Sequence, residues 1–182
     1  MFRTQRLVLL AIAATLVACA QPKSPVAPGA ARPAAASGAA PTDPVTSDPA
    51  AIDAAFPASI EEVAIASGES YMVGVVYVAQ GAGPHPLVIL LHGYPGDERN
   101  ADLAQSLRRA GWNVLLFHYR GAWGSQGKFS FSNALEDVGS ALAEARTASF
   151  AKRFRSDPSR VVLVGHSMGG LVLRAACHYG AG

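Results

Sequence analysis

Residues 161–176 read Val-Val-Leu-Val-Gly-His-Ser-Met-Gly-Gly-Leu-Val-Leu-Arg-Ala-Ala. Four branched apolar residues in a row predict a strand covered on both faces. Gly165-His166-Ser167-Met168-Gly169 then fits G-x-S-x-G, and the apolar stretch after it predicts a helix. Strand, tight turn and helix together describe a nucleophile elbow. The flanking Gly165 and Gly169 let the backbone bend closely, and the bend lifts the Ser167 hydroxyl out at the top of the sheet. The first amides of the following helix face any negative charge that develops there. The competing reading is a glycine-rich β-to-α turn with an incidental serine, or a turn that binds phosphate.

Working back toward the N-terminus, strand and helix patterns alternate. Glu61–Ala66 and Tyr71–Ala79 read as strands joined at Ser67-Gly68-Glu69 in a hairpin. Leu87–Leu91 and Asn113–Phe117 are continuous apolar runs and predict buried strands. Asp97–Ala110 reads as a helix with Leu103, Ala104 and Leu107 on one face and Gly111 as its stop. Asn133 followed by Glu136 suits a capping box ahead of the stripe Leu135, Val138, Leu142 and Ala145. Asp157-Pro158 marks a turn. The expected fold class is α/β, a mostly parallel sheet with helices on both faces.

Two further motifs follow strands. His92-Gly93-Tyr94-Pro95-Gly96 comes after the first buried run, and Tyr119-Arg120-Gly121-Ala122-Trp123-Gly124-Ser125-Gln126-Gly127 after the second. With the elbow, these resemble the α/β-hydrolase superfamily over about residues 60–180. The longer loop is similar to that of serine aminopeptidase-like and prolyl oligopeptidase-like hydrolases. The resemblance implies the N-terminal half of an α/β-hydrolase sheet, with Ser167 as nucleophile. It implies an oxyanion hole made by the backbone N–H groups of Tyr94 and Met168, with His92, Gly93, Gly165, His166 and Gly169 supporting it. The 119–127 loop reads equally well as purely structural.

The family's chain order is Ser, then Asp or Glu, then His. The fifteen residues after Ser167 contain no Asp or Glu, and their one histidine is His178. His178 lies eleven residues along a predicted helix, about 16 Å away at 1.5 Å per residue, far beyond hydrogen-bond reach. His85 and His118 precede the serine, against the family's order. The expectation is therefore a hydrolase truncated after the elbow, its last strands, acid and base missing and Val161–Val164 left as an apolar edge. The function implied is cleavage of an ester, thioester or amide through an acyl-serine intermediate, nearly inactive in these 182 residues. The substrate would be a small-molecule or peptide acyl compound, with no metal or cofactor. The alternative is a non-catalytic, lipid-anchored binding or scaffold lipoprotein, a decayed hydrolase.

The N-terminal part has a different character. Arg3 and Arg6 precede a nearly uninterrupted apolar run from Leu7 to Ala20, too short to cross a bilayer core of about 30 Å. Leu16-Val17-Ala18-Cys19 resembles the lipobox of bacterial lipoproteins. That implies a signal peptide over 1–18 and acylation of Cys19, several acyl chains giving stable anchoring. The absence of Asp after Cys19 implies the periplasmic face of the outer membrane in a Gram-negative envelope. A plain secretory signal is the other reading. Residues 20–51 hold seven prolines and eleven alanines and only two large aliphatics, Val26 and Val45. Such a stretch buries too little apolar surface to offset ordering entropy, so 19–55 reads as a Pro/Ala-rich disordered tether before a domain over 56–182. The whole chain is 50% hydrophobic with a formal net charge of +2, which gives no basic excess for a nucleic-acid partner.

Overall fold

The structure is a computed structural model and describes residues 42–94, 96 and 98–179. The signal, lipobox and first part of the Pro/Ala tract lie outside the described residues.

Strands β1 (Ser59–Ser67) and β2 (Ser70–Val78) form the expected antiparallel hairpin. Gly68 turns it at φ 56°, a left-handed conformation that glycine adopts without a Cβ penalty. β3 (His85–Leu91) and β4 (Asn113–Phe117) are the buried runs, and β5 (Ser156–Gly165) precedes the elbow. The sheet order is β1-β2-β4-β3-β5, with β4, β3 and β5 parallel. Alternation along β3 separates two cores. Leu87, Ile89 and Leu91 face a cluster with α2 (Phe131–Ala145), α3 (Ala148–Phe154) and α4 (Met168–Tyr179). Val88 and Leu90 face a smaller one with α1 (Ala101–Arg109). Helices thus cover both faces, as the strand pattern required.

Several local expectations are corrected. The helix read over 97–110 starts at Ala101, because Asn100 adopts φ 55° and its N–H goes to Glu98 Oε1 at 2.6 Å. Ala104 is buried, but Leu103, about 100° round the helix from it, is 40% exposed at the margin of the buried face. The capping box at Asn133 and Glu136 does not form. Ser130 is the N-cap of α2, its Oγ accepting the Asn133 N–H at 3.0 Å, and the Glu136 carboxylate is taken by Arg120 at 2.7 Å. Asp157-Pro158 lies within β5 rather than in a turn. An edge strand tolerates proline because the missing N–H costs no ladder bond. Among the described residues β5 is the sheet edge, so Val161–Val164 is only half-covered and Val162 is 44% exposed. Helix α3 had no place in the sequence reading. Thr147 caps it, its Oγ1 accepting the Phe150 N–H at 3.1 Å, and the Phe150 and Phe154 rings pack at a tilt of 57° with centroids 4.5 Å apart.

The stretch before β1 is held against the domain. Asp48 accepts from Arg108 at 3.1 Å and Arg109 at 2.9 Å, and Gln80 Nε2 donates to the Ala51 carbonyl at 2.9 Å. Arg155 donates to the Pro57 carbonyl at 3.2 Å.

Candidate active site

Three strand ends meet at one edge of the sheet. After β5 the His166 N–H donates to the Leu91 carbonyl at 3.0 Å, extending the β3 pairing by one residue. The chain then turns: the Gly169 N–H reaches the His166 carbonyl at 2.8 Å and the Gly170 N–H the Ser167 carbonyl at 3.0 Å. Ser167 takes φ 54°, a left-handed conformation that a side chain rarely adopts. The strained residue stands at the strand-to-helix turn that the G-x-S-x-G spacing places there. Ser167 is exposed, while Met168, at the start of α4, is buried. Glycine is required at both flanks. A Cβ on Gly165 would collide with the Gly169 carbonyl, and one on Gly169 with the Leu91 carbonyl.

The loop after β3 lies directly beside the serine. A Cβ on Gly93 would stand 3.0 Å from Ser167 Cβ and 3.4 Å from its Oγ. His92, Gly93, Tyr94 and Met168 share a cleft of about 270 Å³ with Tyr119, Gly121, Ala122, Trp123 and Phe129. Among the described residues no lysine, arginine, aspartate or glutamate lines it. Tyr94 is 69% exposed at its rim and contacts Phe129, with ring centroids 5.5 Å apart.

The third loop has a structural role that spacing alone did not show. Arg120 donates to buried Asp137 from its backbone N–H at 2.9 Å and from Nε at 2.5 Å, and from Nη2 to Glu136. Ser67 Oγ in the hairpin adds 2.7 Å to the same carboxylate. One carboxylate therefore joins the hairpin, the loop and α2. The loop also zips along β2. Ser125 Oγ accepts the Val73 N–H at 3.0 Å and donates to the His118 carbonyl at 2.7 Å, and the Gln126 N–H donates to the Tyr71 carbonyl at 2.9 Å. Sequence reasoning missed Asp137. The signal was present: an acid inside the stripe Ala134, Val138, Ala141 and Ala145 sits on a helix face that buries it, and a buried charge needs a partner.

The histidines divide. His85, at the opposite end of β3, is fixed by the Gly111 and Gly81 carbonyls, each at 3.1 Å. His166 is exposed. The side chain of His178 lies outside the described residues. His92 is buried, its Nδ1 2.7 Å from the Gly93 carbonyl and its Nε2 3.3 Å from His118 Nδ1. Burial is the main reason both imidazoles resist protonation. His118, facing His92 and Arg99 as well, is pushed down to about 4. Because this folded-state value lies below that of the unfolded chain, acid favours unfolding. Stability is full above about pH 6.5, where both states are neutral, and falls as pH drops toward about 4. Urea midpoints measured across that window should decline, and His118→Asn should flatten the decline.

Among the described residues no group of three His, Cys, Asp or Glu is placed to hold a metal ion. No helix among them is long and apolar enough to cross a membrane.

A comparison with curated proteins found no match. Solved structures share the fold. The α/β-hydrolase GrgF of Penicillium sp. sh18 has 21% identity and a TM-score of 0.57, over 66% of this chain and 42% of its own. A Pyrococcus furiosus esterase has 25% identity and a TM-score of 0.52, over 67% and 45%. Est1E of Butyrivibrio proteoclasticus, solved with ferulic acid, has 22% identity and a TM-score of 0.54, over 63% and 46%. The chain thus spans less than half the length of each. A family model described as the alpha/beta hydrolase family matches residues 88–181, from β3 through the elbow. With the strained serine between β5 and α4 and the β3 loop packed against it, the chain belongs to the alpha/beta hydrolase family.

Proposed function

We propose that this chain carries the nucleophile and oxyanion half of a serine hydrolase that cleaves an ester, thioester or amide. The observation that carries the reading is the left-handed, exposed Ser167 with Gly93 against its hydroxyl. In this reading Ser167 Oγ attacks the acyl carbonyl, and the Tyr94 and Met168 N–H groups receive the charge on its oxygen. Such preorganised donors stabilise a tetrahedral intermediate strongly, a single one being worth about 3–4 kcal/mol. Among the described residues the neighbouring cleft is lined by aromatic and uncharged side chains, which favours an uncharged acyl group. Esterases among the structural neighbours are consistent with this chemistry.

A serine hydroxyl needs a base to remove its proton and an acid to orient that base. Neither follows Ser167 in these residues at usable distance. A polypeptide of these 182 residues should react with a fluorophosphonate probe about 10²- to 10⁴-fold more slowly than a serine served by a general base. The native protein, purified from its source, tests the reading itself. Labelling on the peptide that contains Ser167, absent in Ser167→Ala, supports it, and labelling that survives the substitution overturns it. Fast labelling of the 182-residue chain would instead show that a base is present within it.

The Leu16–Cys19 lipobox adds a lipid-anchored place in the bacterial envelope to this proposal, and that part rests on the sequence.

A further inference from the structure

His92 and His118 are joined side chain to side chain, although their positions come from different strands. The tautomers follow from what each nitrogen faces. A carbonyl oxygen only accepts, so His92 Nδ1, 2.7 Å from the Gly93 oxygen, carries a proton and donates it. In the neutral ring Nε2 is then bare. His118 Nδ1, 3.3 Å from it, must be the donor, which leaves His118 Nε2 bare in turn. Both rings are held in the Nδ1–H form, opposite to the one a solvated imidazole prefers.

The anchor of this chain is the Gly93 carbonyl, and its consequence falls on Tyr94. The Gly93–Tyr94 peptide is planar and trans, so its C=O and N–H point in opposite directions. Fixing the carbonyl toward His92 fixes the Tyr94 N–H away from it. We propose that His118 is a positioning residue: its Nδ1–H, donated to His92 Nε2, reinforces the tautomer that the Gly93 carbonyl also requires, and through that carbonyl the pair aims the Tyr94 N–H. This inference rests on the reading of Tyr94 as an oxyanion donor.

The surroundings suit that role. The two rings have centroids 5.1 Å apart, and Tyr119 packs on His92 at 4.7 Å, its hydroxyl 3.4 Å from the His92 carbonyl. Among the described residues the charge bearing on the pair is Arg99, which opposes protonation of both rings. A single added proton can be shared without breaking the chain. It enters at His118 Nε2, while the His118 Nδ1 proton passes to His92 Nε2; the pair gains one proton and the Gly93 bond is kept. A second proton would set N–H against N–H.

The experiment is long-range ¹H–¹⁵N NMR on the 182-residue chain labelled with ¹⁵N-histidine, at neutral pH. His92 and His118 should each show a protonated Nδ1 and a bare Nε2. His118→Asn, whose amide nitrogen stands where Nδ1 stood, should preserve the His92 pattern. His118→Leu should let the Nε2–H form of His92 grow in and shift the Gly93 carbonyl and Tyr94 amide resonances. An Nε2–H tautomer on either ring of the unsubstituted chain overturns the proposal, and so does a His92 pattern indifferent to His118→Leu. If the leucine variant does not fold, an Nε2–H tautomer on either ring of the unsubstituted chain still overturns the proposal. The readout does not require Ser167 to react, so its failure is distinct from failure of the labelling experiment.

Discussion

Replacing Asp137 with alanine should destabilise the domain by about 3–5 kcal/mol, the cost of breaking a buried ion pair by removing one partner. The carboxylate is fully buried and is contacted by the Arg120 N–H, Arg120 Nε and Ser67 Oγ. Without it the guanidinium of Arg120, a residue only 8% exposed, keeps among the described residues Glu136 and the Asn133 carbonyl. The Glu136 contact lies toward solvent and is screened, so it replaces little of what is lost. A loss of this size is a large part of the 5–15 kcal/mol that holds a typical domain together. Asp137→Asn should lose less, because one oxygen still accepts. Chemical denaturation of both variants checks the order, and equal losses would show that the charge, rather than shape or a remaining acceptor oxygen, is what matters at this position.

Gly169→Ala should be comparably severe, about 3 kcal/mol, and for a different reason. The added carbon would overlap the Leu91 carbonyl and crowd that of His92, both backbone atoms of a central strand and its exit. Overpacking against a flexible side chain relaxes; against a hydrogen-bonded strand it forces the elbow open. Gly170→Ala is the control. Its Cβ would find nothing closer than the Gly165 carbonyl at 3.4 Å, and alanine is the better helix former. It should therefore be neutral or slightly stabilising. Melting temperatures of the two variants separate the explanations. Equal effects would mean that the pair of glycines is needed for backbone freedom rather than for close approach.

The elements that were legible in the sequence are those whose signal is local. The apolar runs at Leu87–Leu91 and Asn113–Phe117 and the glycine-flanked Ser167 carry their conformation in adjacent residues. Their strands and turn appear where the pattern places them. Element starts were less legible. A side-chain contact from elsewhere decides each of them: Arg120 claims Glu136 and so removes the capping box, and the Glu98 carboxylate turns Asn100 left-handed ahead of α1.

The sequence by itself determined the α/β alternation and the elbow, because periodicity and glycine placement act over a few residues. Only the tertiary structure decided that β4 inserts between β2 and β3, that Asp137 ties the hairpin to the third loop, and that His118 meets His92. These pairings join positions 17 to 70 residues apart, and no local pattern encodes which of many distant partners a buried polar group will find. The sheet does so, by bringing the ends of β3, β4 and β5 to one edge, where unpaired polar groups must satisfy one another.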